Sequence, residues 1–157
     1  MACGYGMECD VWASSDGVAY VHHDADLDRL TQERGPLGRR NAAMLDGIAL
    51  NDGAGPLPRL TTLLRMIGGK TPLLIEVKTA GRRVDHVCRA VRDALAGYDG
   101  DVAVMGFNPD VSHWFAKHAP HIVRGLVASE EGKQDWRGKT ERTLALWRAR
   151  PDFLAYD

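Results

Sequence analysis

The sequence predicts an α/β protein built around a parallel β-sheet, and two observations support this prediction. Short β-rich segments alternate with amphipathic helices, which is the pattern of repeated βαβ units. After the first hairpin, the connections between strands are long enough for the helical crossover that parallel neighbours require. The segments expected to form the five parallel strands are residues 7–12, 73–78, 102–107, 122–127 and 152–157.

The chain opens with two short strands that we expect to form an antiparallel hairpin. Residues 7–12 and 18–23 are joined by the turn residues Ser14-Ser15-Asp16-Gly17. A connection this short cannot supply the crossover that parallel neighbours need. A polar segment rich in glycine and proline follows over residues 24–58, with at most one short helix around 42–50. Loops of this length inside a domain are usually functional.

Four amphipathic helices are expected between the later strands. Apolar residues at positions 60, 63, 64 and 67 follow the i, i+3, i+4, i+7 spacing of a helix that Gly68-Gly69 can end. Asn108-Pro109 supplies a capping side chain and a first-turn proline to another helix. The remaining two helices are expected over residues 84–95 and 140–150.

Composition and charge exclude several classes of protein. The 157 residues carry 20 basic and 21 acidic side chains, so the net charge of -1 lacks the basic footprint of a general nucleic-acid binder. No apolar run approaches the ~20 residues that cross a bilayer, and no secretory signal is visible. Cys3, Cys9 and Cys88 form no CxxC pair, so we expect reduced thiols and a cytoplasmic location.

Charged residues on two of the predicted strands suggest a metal site. Glu8 and Asp10 are two residues apart and share one face of a strand, as do Glu76 and Lys78. Functional side chains of parallel α/β sheets gather at the C-terminal ends of the strands. The three carboxylates offer the hard oxygen ligands that suit Mg²⁺ or Ca²⁺ better than zinc, and Lys78 can hold an anionic group or neutralise them. A solvated edge strand with surface acids is the alternative.

The pairing of the hairpin decides which histidine joins this face. With the turn centred on Ser15-Asp16, Glu8 stands opposite His23, and directly opposed residues share a face. A slip of one residue would place His22 there instead. A histidine beside a divalent cation can act as a general acid or base near neutral pH, which suits metal-assisted chemistry on a phosphate ester. A surface histidine without a role is the alternative.

Seven short motifs occur in order along the chain. They are Glu8-Cys9-Asp10-Val11, Asp16-Gly17-Val18, Val21-His22-His23-Asp24, Leu27-Asp28-Arg29, Pro56-Leu57-Pro58-Arg59-Leu60, Leu74-Ile75-Glu76-Val77-Lys78 and Gly106-Phe107-Asn108-Pro109. In this order and spacing they resemble the motifs of the glycerophosphodiester phosphodiesterases, with Gly106 where that family has serine. The similarity extends over nearly the whole chain.

This resemblance implies a fold and a reaction. The fold is a (β/α)8 barrel, of which residues 1–157 would form a single partial domain with barrel strands two to six and the hairpin arm. Residues 25–57 correspond to the family's insertion, which covers the mouth of the barrel. The reaction is hydrolysis of a small-molecule glycerophosphodiester to glycerol 3-phosphate and an alcohol, with a divalent cation, Mg²⁺ or Ca²⁺, as cofactor.

The resemblance also implies a role for each site residue. His23 would protonate the departing alcohol, Lys78 would contact the phosphate, and Phe107 would line the substrate site. The metal ligands would be Glu8, Asp10 and Glu76.

Two features of the family pattern have no match in the chain. Only seven residues precede Glu8, and they contain no His-Arg-Gly motif, which gives the family a second catalytic histidine and a phosphate-binding arginine. The family's last two strands, with their Trp-Thr and Thr-Asp pairs, would follow Asp157. We therefore expect barrel strands one, seven and eight to be missing, the enzyme to be weak or inactive, and the open sheet edges to favour self-association.

Two other functions remain compatible with these motifs. A lipase related to phospholipase C or D would need an apolar membrane-facing rim, and residues 25–57 contain no aromatic residue. A truncated, non-catalytic paralogue would bind a phosphodiester or a protein partner without turnover.

Overall fold

Six strands and five α-helices make up the fold. The computed structural model describes residues 5–51, 53–128 and 136–156, and only the backbone over 136–142. The strands are β1 Met7–Ala13, β2 Ala19–Val21, β3 Leu73–Val77, β4 Val102–Met105, β5 Val123–Ala128 and β6 Phe153–Tyr156. The α-helices are α1 Ala42–Leu45, α2 Leu60–Ile67, α3 Asp85–Leu95, α4 Pro109–His118 and α5 Trp136–Ala149, and a 3-10 helix covers Leu37–Arg39.

The sheet has the predicted topology. Its strand order is β2-β1-β3-β4-β5-β6, and every neighbouring pair is parallel except β1 with β2. This confirms the α/β class, the hairpin and the five parallel strands, whose ends differ from the predicted ones by at most two residues. Over the described residues the sheet does not close, so it forms part of a barrel. No helix among those residues is both long and apolar enough to cross a membrane.

The predicted register of the hairpin is wrong by one residue. Val11 pairs with Val21, and Ala13 pairs with Ala19. The turn is longer than expected because the Ser14 hydroxyl donates to Asp16 Oδ1 at 2.6 Å and accepts from the Val18 amide at 2.9 Å. These side-chain hydrogen bonds centre the loop on Asp16 rather than between residues 15 and 16.

One face of the sheet packs against helices α2, α3 and α4. Cys9, Val11 and Ile75 belong to this buried core, together with apolar residues of the three helices. Side chains alternate along a strand, so Glu8, Asp10 and Glu76 project from the opposite face. The helical packing thus leaves the charged side chains on the face that a complete barrel would enclose.

The segment of residues 25–57, here called the insertion segment, contains a short helix as predicted and also the 3-10 helix. It has a small hydrophobic core of its own around the fully buried Leu37 and Leu45. Tyr20 of β2 joins this core, and its hydroxyl donates to Asp46 Oδ1 at 2.7 Å. Strand β2 of the hairpin and the insertion segment therefore share one small hydrophobic core.

The sheet edge beside β1 is shorter than the long parallel edge that we expected. β2 pairs with residues 11–13, and the His22 amide donates to the Asp10 carbonyl at 3.0 Å. Self-association through the remaining edges stays a prediction. We expect sedimentation velocity to show dimers whose fraction rises with protein concentration, because unpaired strand edges bind one another. A single monomeric species at every concentration would contradict this expectation.

Gly106 is a position where the family's serine does not fit this backbone. A Cβ atom at Gly106 would lie 2.9 Å from the Val77 carbonyl oxygen, which is closer than real Cβ contacts. We expect Gly106→Ser to lower the free energy of unfolding by about 1–3 kcal/mol, because the backbone must shift. Urea unfolding measures this loss, and Gly47→Ser is the control, since a Cβ there is 3.7 Å from its nearest neighbour. Equal stability of the two variants would rule out the steric explanation.

Cys9 and Cys88 are buried free cysteines, and the prediction for Cys3 lies outside the described residues. Burial raises the pKa of both thiols to about 12, aided by Glu8 and Asp10 at Cys9 and by Asp85 at Cys88. Because the thiolate is the reactive form, we expect both to react with iodoacetamide at about pH 8 far more slowly in the folded protein than in urea. Peptide mapping by mass spectrometry measures the two rates. Equal rates would show that the thiols are accessible.

Candidate functional site

Three carboxylates meet on the face of the sheet opposite to helices α2, α3 and α4. β1 and β3 run parallel with Asp10 level with Glu76, so the two side chains lie side by side. Glu8 precedes Asp10 by one pleat on the same face. One oxygen from each residue lies within 4.8 Å of the other two, and we call this group the acidic cluster. The structure thus brings together the three carboxylates that the sequence spacing singled out, and their role as metal ligands stays a prediction.

Lys78 follows β3 and lies against the acidic cluster. Its amide donates to the Val11 carbonyl at 3.0 Å, which extends the pairing of β3 with β1 beyond the strand end. Its Nζ lies 2.9 Å from Asp10 Oδ1 and also forms an ion pair with Glu76 Oε1. The ammonium group therefore neutralises part of the negative charge of the cluster.

The pKa values of Glu8 and Lys78 reflect the charges of the acidic cluster. Burial raises the pKa of Glu8, and the charges of Asp10 and Glu76 raise it further, while Lys78 and His23 oppose the increase. Burial alone would lower the pKa of Lys78, but its hydrogen bonds to Glu76 and Asp10 raise it overall. Both shifts are expected where three carboxylates repel one another and one ammonium group neutralises only part of their charge.

The acidic cluster can hold a divalent metal ion. Glu76 is only 8% exposed, and its Oε1 has no hydrogen-bond partner in the described part of the chain besides the ion pair with Lys78. A buried carboxylate oxygen that has no hydrogen-bond donor is stabilised by a cation. Three carboxylates offer only oxygen donors, which is the chemistry that hard divalent cations require.

His23 is the second residue after β2, where strand alternation no longer fixes its direction. Its side chain is 62% exposed, and Nδ1 lies 2.7 Å from Asp24 Oδ1. Arg29 donates to both oxygens of Asp24, at 2.7 and 3.0 Å. Hydrogen bonds from Arg29 and His23 hold the pKa of Asp24 well below its usual range. An ionised Asp24 requires a proton on Nδ1 of His23, which leaves Nε2 free for other contacts.

The two neighbouring histidines have different environments. His22 is buried, and its Nε2 lies 3.0 Å from the Asp26 carbonyl oxygen. His23 is close enough to lower the pKa of Glu8, and its carbonyl accepts a hydrogen bond from Trp12 Nε1 at 3.1 Å. The charge of His23 thus acts on Glu8 of the acidic cluster, although the register from which we inferred its position is wrong.

Phe107 comes after β4, next to Lys78. It is 45% exposed, and its ring centroid lies 5.8 Å from Lys78 Nζ. The following Asn108 caps α4 by accepting from the Asp110 amide, which fixes the backbone beside the ring. Phe107 therefore presents an apolar surface beside the ammonium group.

Sequence reasoning assigned no role to Asp24 or Arg29, which hold His23. Both residues lie within the motifs Val21-His22-His23-Asp24 and Leu27-Asp28-Arg29, so the signal was present. Asp24 directly follows His23, and Arg29 comes five residues after Asp24. Once the turn between Asp24 and Arg29 is known, this spacing predicts that Asp24 orients the imidazole ring of His23.

A partial α/β barrel with three carboxylates and a lysine grouped on one face of its sheet defines the class: an α/β-barrel protein with an acidic cluster that could hold a metal ion. The chain belongs to the glycerophosphoryl diester phosphodiesterase family, whose model matches residues 4–155. No curated protein matches the sequence significantly.

Solved structures of this family share the fold. A phosphodiesterase from Oleispira antarctica, in complex with the product sn-glycerol-3-phosphate, has a TM-score of 0.80 and 22% identity, over 96% of this chain and 62% of that one. A putative glycerophosphoryl diester phosphodiesterase from Agrobacterium tumefaciens has a TM-score of 0.77 and 20% identity, over 96% and 63%. One from Galdieria sulphuraria has a TM-score of 0.75 at 12% identity, over 96% and 62%. The chain therefore spans less than two thirds of these relatives.

Proposed function

We propose that this chain hydrolyses glycerophosphodiesters to glycerol 3-phosphate and an alcohol. One observation carries the proposal: Lys78 lies against the acidic cluster, and an oriented His23 acts electrostatically on Glu8 of the same cluster. Family membership supports the same reaction. A product complex of the Oleispira antarctica relative with glycerol 3-phosphate agrees with it.

The proposed cofactor is Mg²⁺ or Ca²⁺, held by Glu8, Asp10 and Glu76. When bound, the cation would supply a positive charge that polarises the phosphoryl group. The same carboxylates would then no longer need the ammonium group of Lys78. Lys78 would be free to bind an oxygen of the scissile phosphate, since an ammonium group binds phosphate as a point charge.

His23 is proposed as the general acid. Asp24 keeps Nδ1 protonated and fixes the ring, so a second proton on Nε2 can pass to the oxygen of the departing alcohol. Phe107 is proposed to line the substrate site, where its ring would exclude water beside Lys78. In this proposal Lys78 binds the phosphate, and His23 protonates the leaving oxygen.

A product assay tests the proposal. The purified chain is incubated with glycerophosphocholine and Ca²⁺ or Mg²⁺, and glycerol 3-phosphate and choline are measured. We expect both products at equal rates, with no release in EDTA. The weak activity expected in the absence of a His-Arg-Gly motif stays a prediction, which the same rates measure. A wild-type rate equal to that of the Glu76→Gln variant would contradict the proposed hydrolysis.

We also infer a cytoplasmic location and a small-molecule substrate. The two buried cysteines form no disulfide within the described residues, which supports a reducing compartment. The near-neutral charge supports the expectation that nucleic acid is not a partner.

A further inference from the structure

A cavity adjoins the acidic cluster. It has a volume of about 410 Å³ and lies between the insertion segment and the loop from β3 to α3. Lys78 lines its wall and at the same time contacts the acidic cluster. A phosphodiester whose scissile phosphate is bound at Lys78 would therefore extend one of its two arms into this cavity, which we call the head-group pocket.

The head-group pocket is positively charged. Arg39 and Arg83 both line it, and no carboxylate is among the described residues of its lining. Most other arginines in the described ranges are ion-paired, for example Arg29, Arg40 and Arg59. The side chains of Arg39 and Arg83 form no ion pair or hydrogen bond with any described residue. His86, also at the wall, directs its Nε2 to the Ser14 carbonyl oxygen at 2.7 Å.

Both arginines are attached to well-packed backbone. Arg39 ends the 3-10 helix that begins at the fully buried Leu37, and the next carbonyl, of Arg40, accepts from the Ser15 amide at 2.8 Å. Arg83 precedes the buried Val84 at the start of α3. The fold therefore fixes the backbone of both arginines at the pocket, while their exposed side chains have no described partner.

We propose that the head-group pocket binds a second phosphate, carried by the alcohol part of the substrate. The inference rests on the proposed function, because that function places the scissile phosphate at Lys78. The glycerol arm is small and uncharged and offers nothing to two unpaired guanidinium groups, whereas a phosphorylated alcohol offers both charge and hydrogen-bond acceptors. Trp12 and Pro36 supply apolar wall for the carbon skeleton. A cationic alcohol such as choline is disfavoured there.

A matched pair of compounds tests this specificity. Glycerophosphoinositol and glycerophosphoinositol 4-phosphate differ by a single phosphate, and calorimetry in the presence of Ca²⁺ gives the affinity of each. We expect the phosphorylated compound to bind about 10-fold more tightly, with the preference shrinking in high salt. The double variant Arg39→Gln/Arg83→Gln is expected to lose the preference and keep its affinity for glycerophosphoinositol. Arg82→Gln is the control, since Arg82 is exposed and does not line this pocket.

The outcomes separate the pocket from the reaction. A preference that depends on the two arginines, without hydrolysis of either compound, would support the pocket and contradict the proposed function. Hydrolysis of both compounds with equal kcat/KM and equal affinity would support the function and overturn the pocket. A preference that persists in the double variant, or no binding of either compound, would also overturn it.

Discussion

Glu76→Gln is expected to lower the affinity of the chain for Ca²⁺ by at least about 100-fold, because even residues behind the metal ligands usually contribute 10–100-fold. Glutamine has nearly the same shape as glutamate, so the packing around β3 is retained. What is lost is one of three converging negative charges, at a position that is almost fully buried. Calorimetric titration of the metal-free protein with CaCl₂ measures the change directly, without any need for turnover.

Two further variants make this result specific. Asp101→Asn removes an exposed carboxylate just before β4 and is expected to leave Ca²⁺ affinity unchanged. Lys78→Gln removes the cation that competes for the same carboxylates and is expected to raise the affinity. If Glu76→Gln bound Ca²⁺ as tightly as the wild type, the acidic cluster would not be the metal site.

The pH dependence of Ca²⁺ binding follows from the raised pKa of Glu8. Burial and the neighbouring carboxylates favour the protonated form of Glu8, and a bound cation must displace that proton. Affinity is therefore expected to be full above the raised pKa and to fall as the pH decreases through it. The fall begins at a higher pH than it would for an ordinary glutamate. Calorimetric titrations with CaCl₂ over a series of pH values measure where the affinity begins to fall.

His23→Ala is expected to slow release of glycerol 3-phosphate by about 10²- to 10⁴-fold, which is the usual contribution of a positioned general acid. KM is expected to change little, because the histidine acts on the leaving oxygen in the transition state. His121→Ala, at an exposed position, is the control for surface effects. Unchanged kcat in His23→Ala would eliminate His23 as the acid.

A change of leaving group distinguishes proton donation from a structural effect of the same substitution. A glycerophosphodiester of p-nitrophenol releases a stable anion that needs no proton. The His23→Ala defect is expected to shrink greatly on this substrate and to persist on glycerophosphocholine. A defect of the same size on both substrates would indicate that His23 supports the site in another way.

The strands and the acidic cluster could be predicted because both depend on local spacing. Alternation placed Glu8 with Asp10 and Glu76 with Lys78 on shared faces, and parallel pairing then brought the two strands together. The hairpin register could not be predicted in this way, because hydrogen bonds of the Ser14 side chain lengthen the turn. The position of His23 depends on the chain after Val21, where no periodic pattern applies.

The head-group pocket was beyond sequence reasoning for a different reason. Its walls come from residues 12–13, 25–39 and 78–87, which are far apart in the chain and meet only after the insertion segment has packed. Neither Arg39 nor Arg83 belongs to a recognisable motif. Their common property is the lack of a partner, which only a three-dimensional arrangement reveals.

The separate core of the insertion segment has an evolutionary consequence. Leu37 and Leu45 pack with Tyr20 and not with the helices that support the catalytic strands. Substitutions that reshape this wall can therefore accumulate while the metal ligands keep their positions. A lineage could exchange one alcohol for another by varying this unit alone, so substrate range and catalytic chemistry would diversify at different rates.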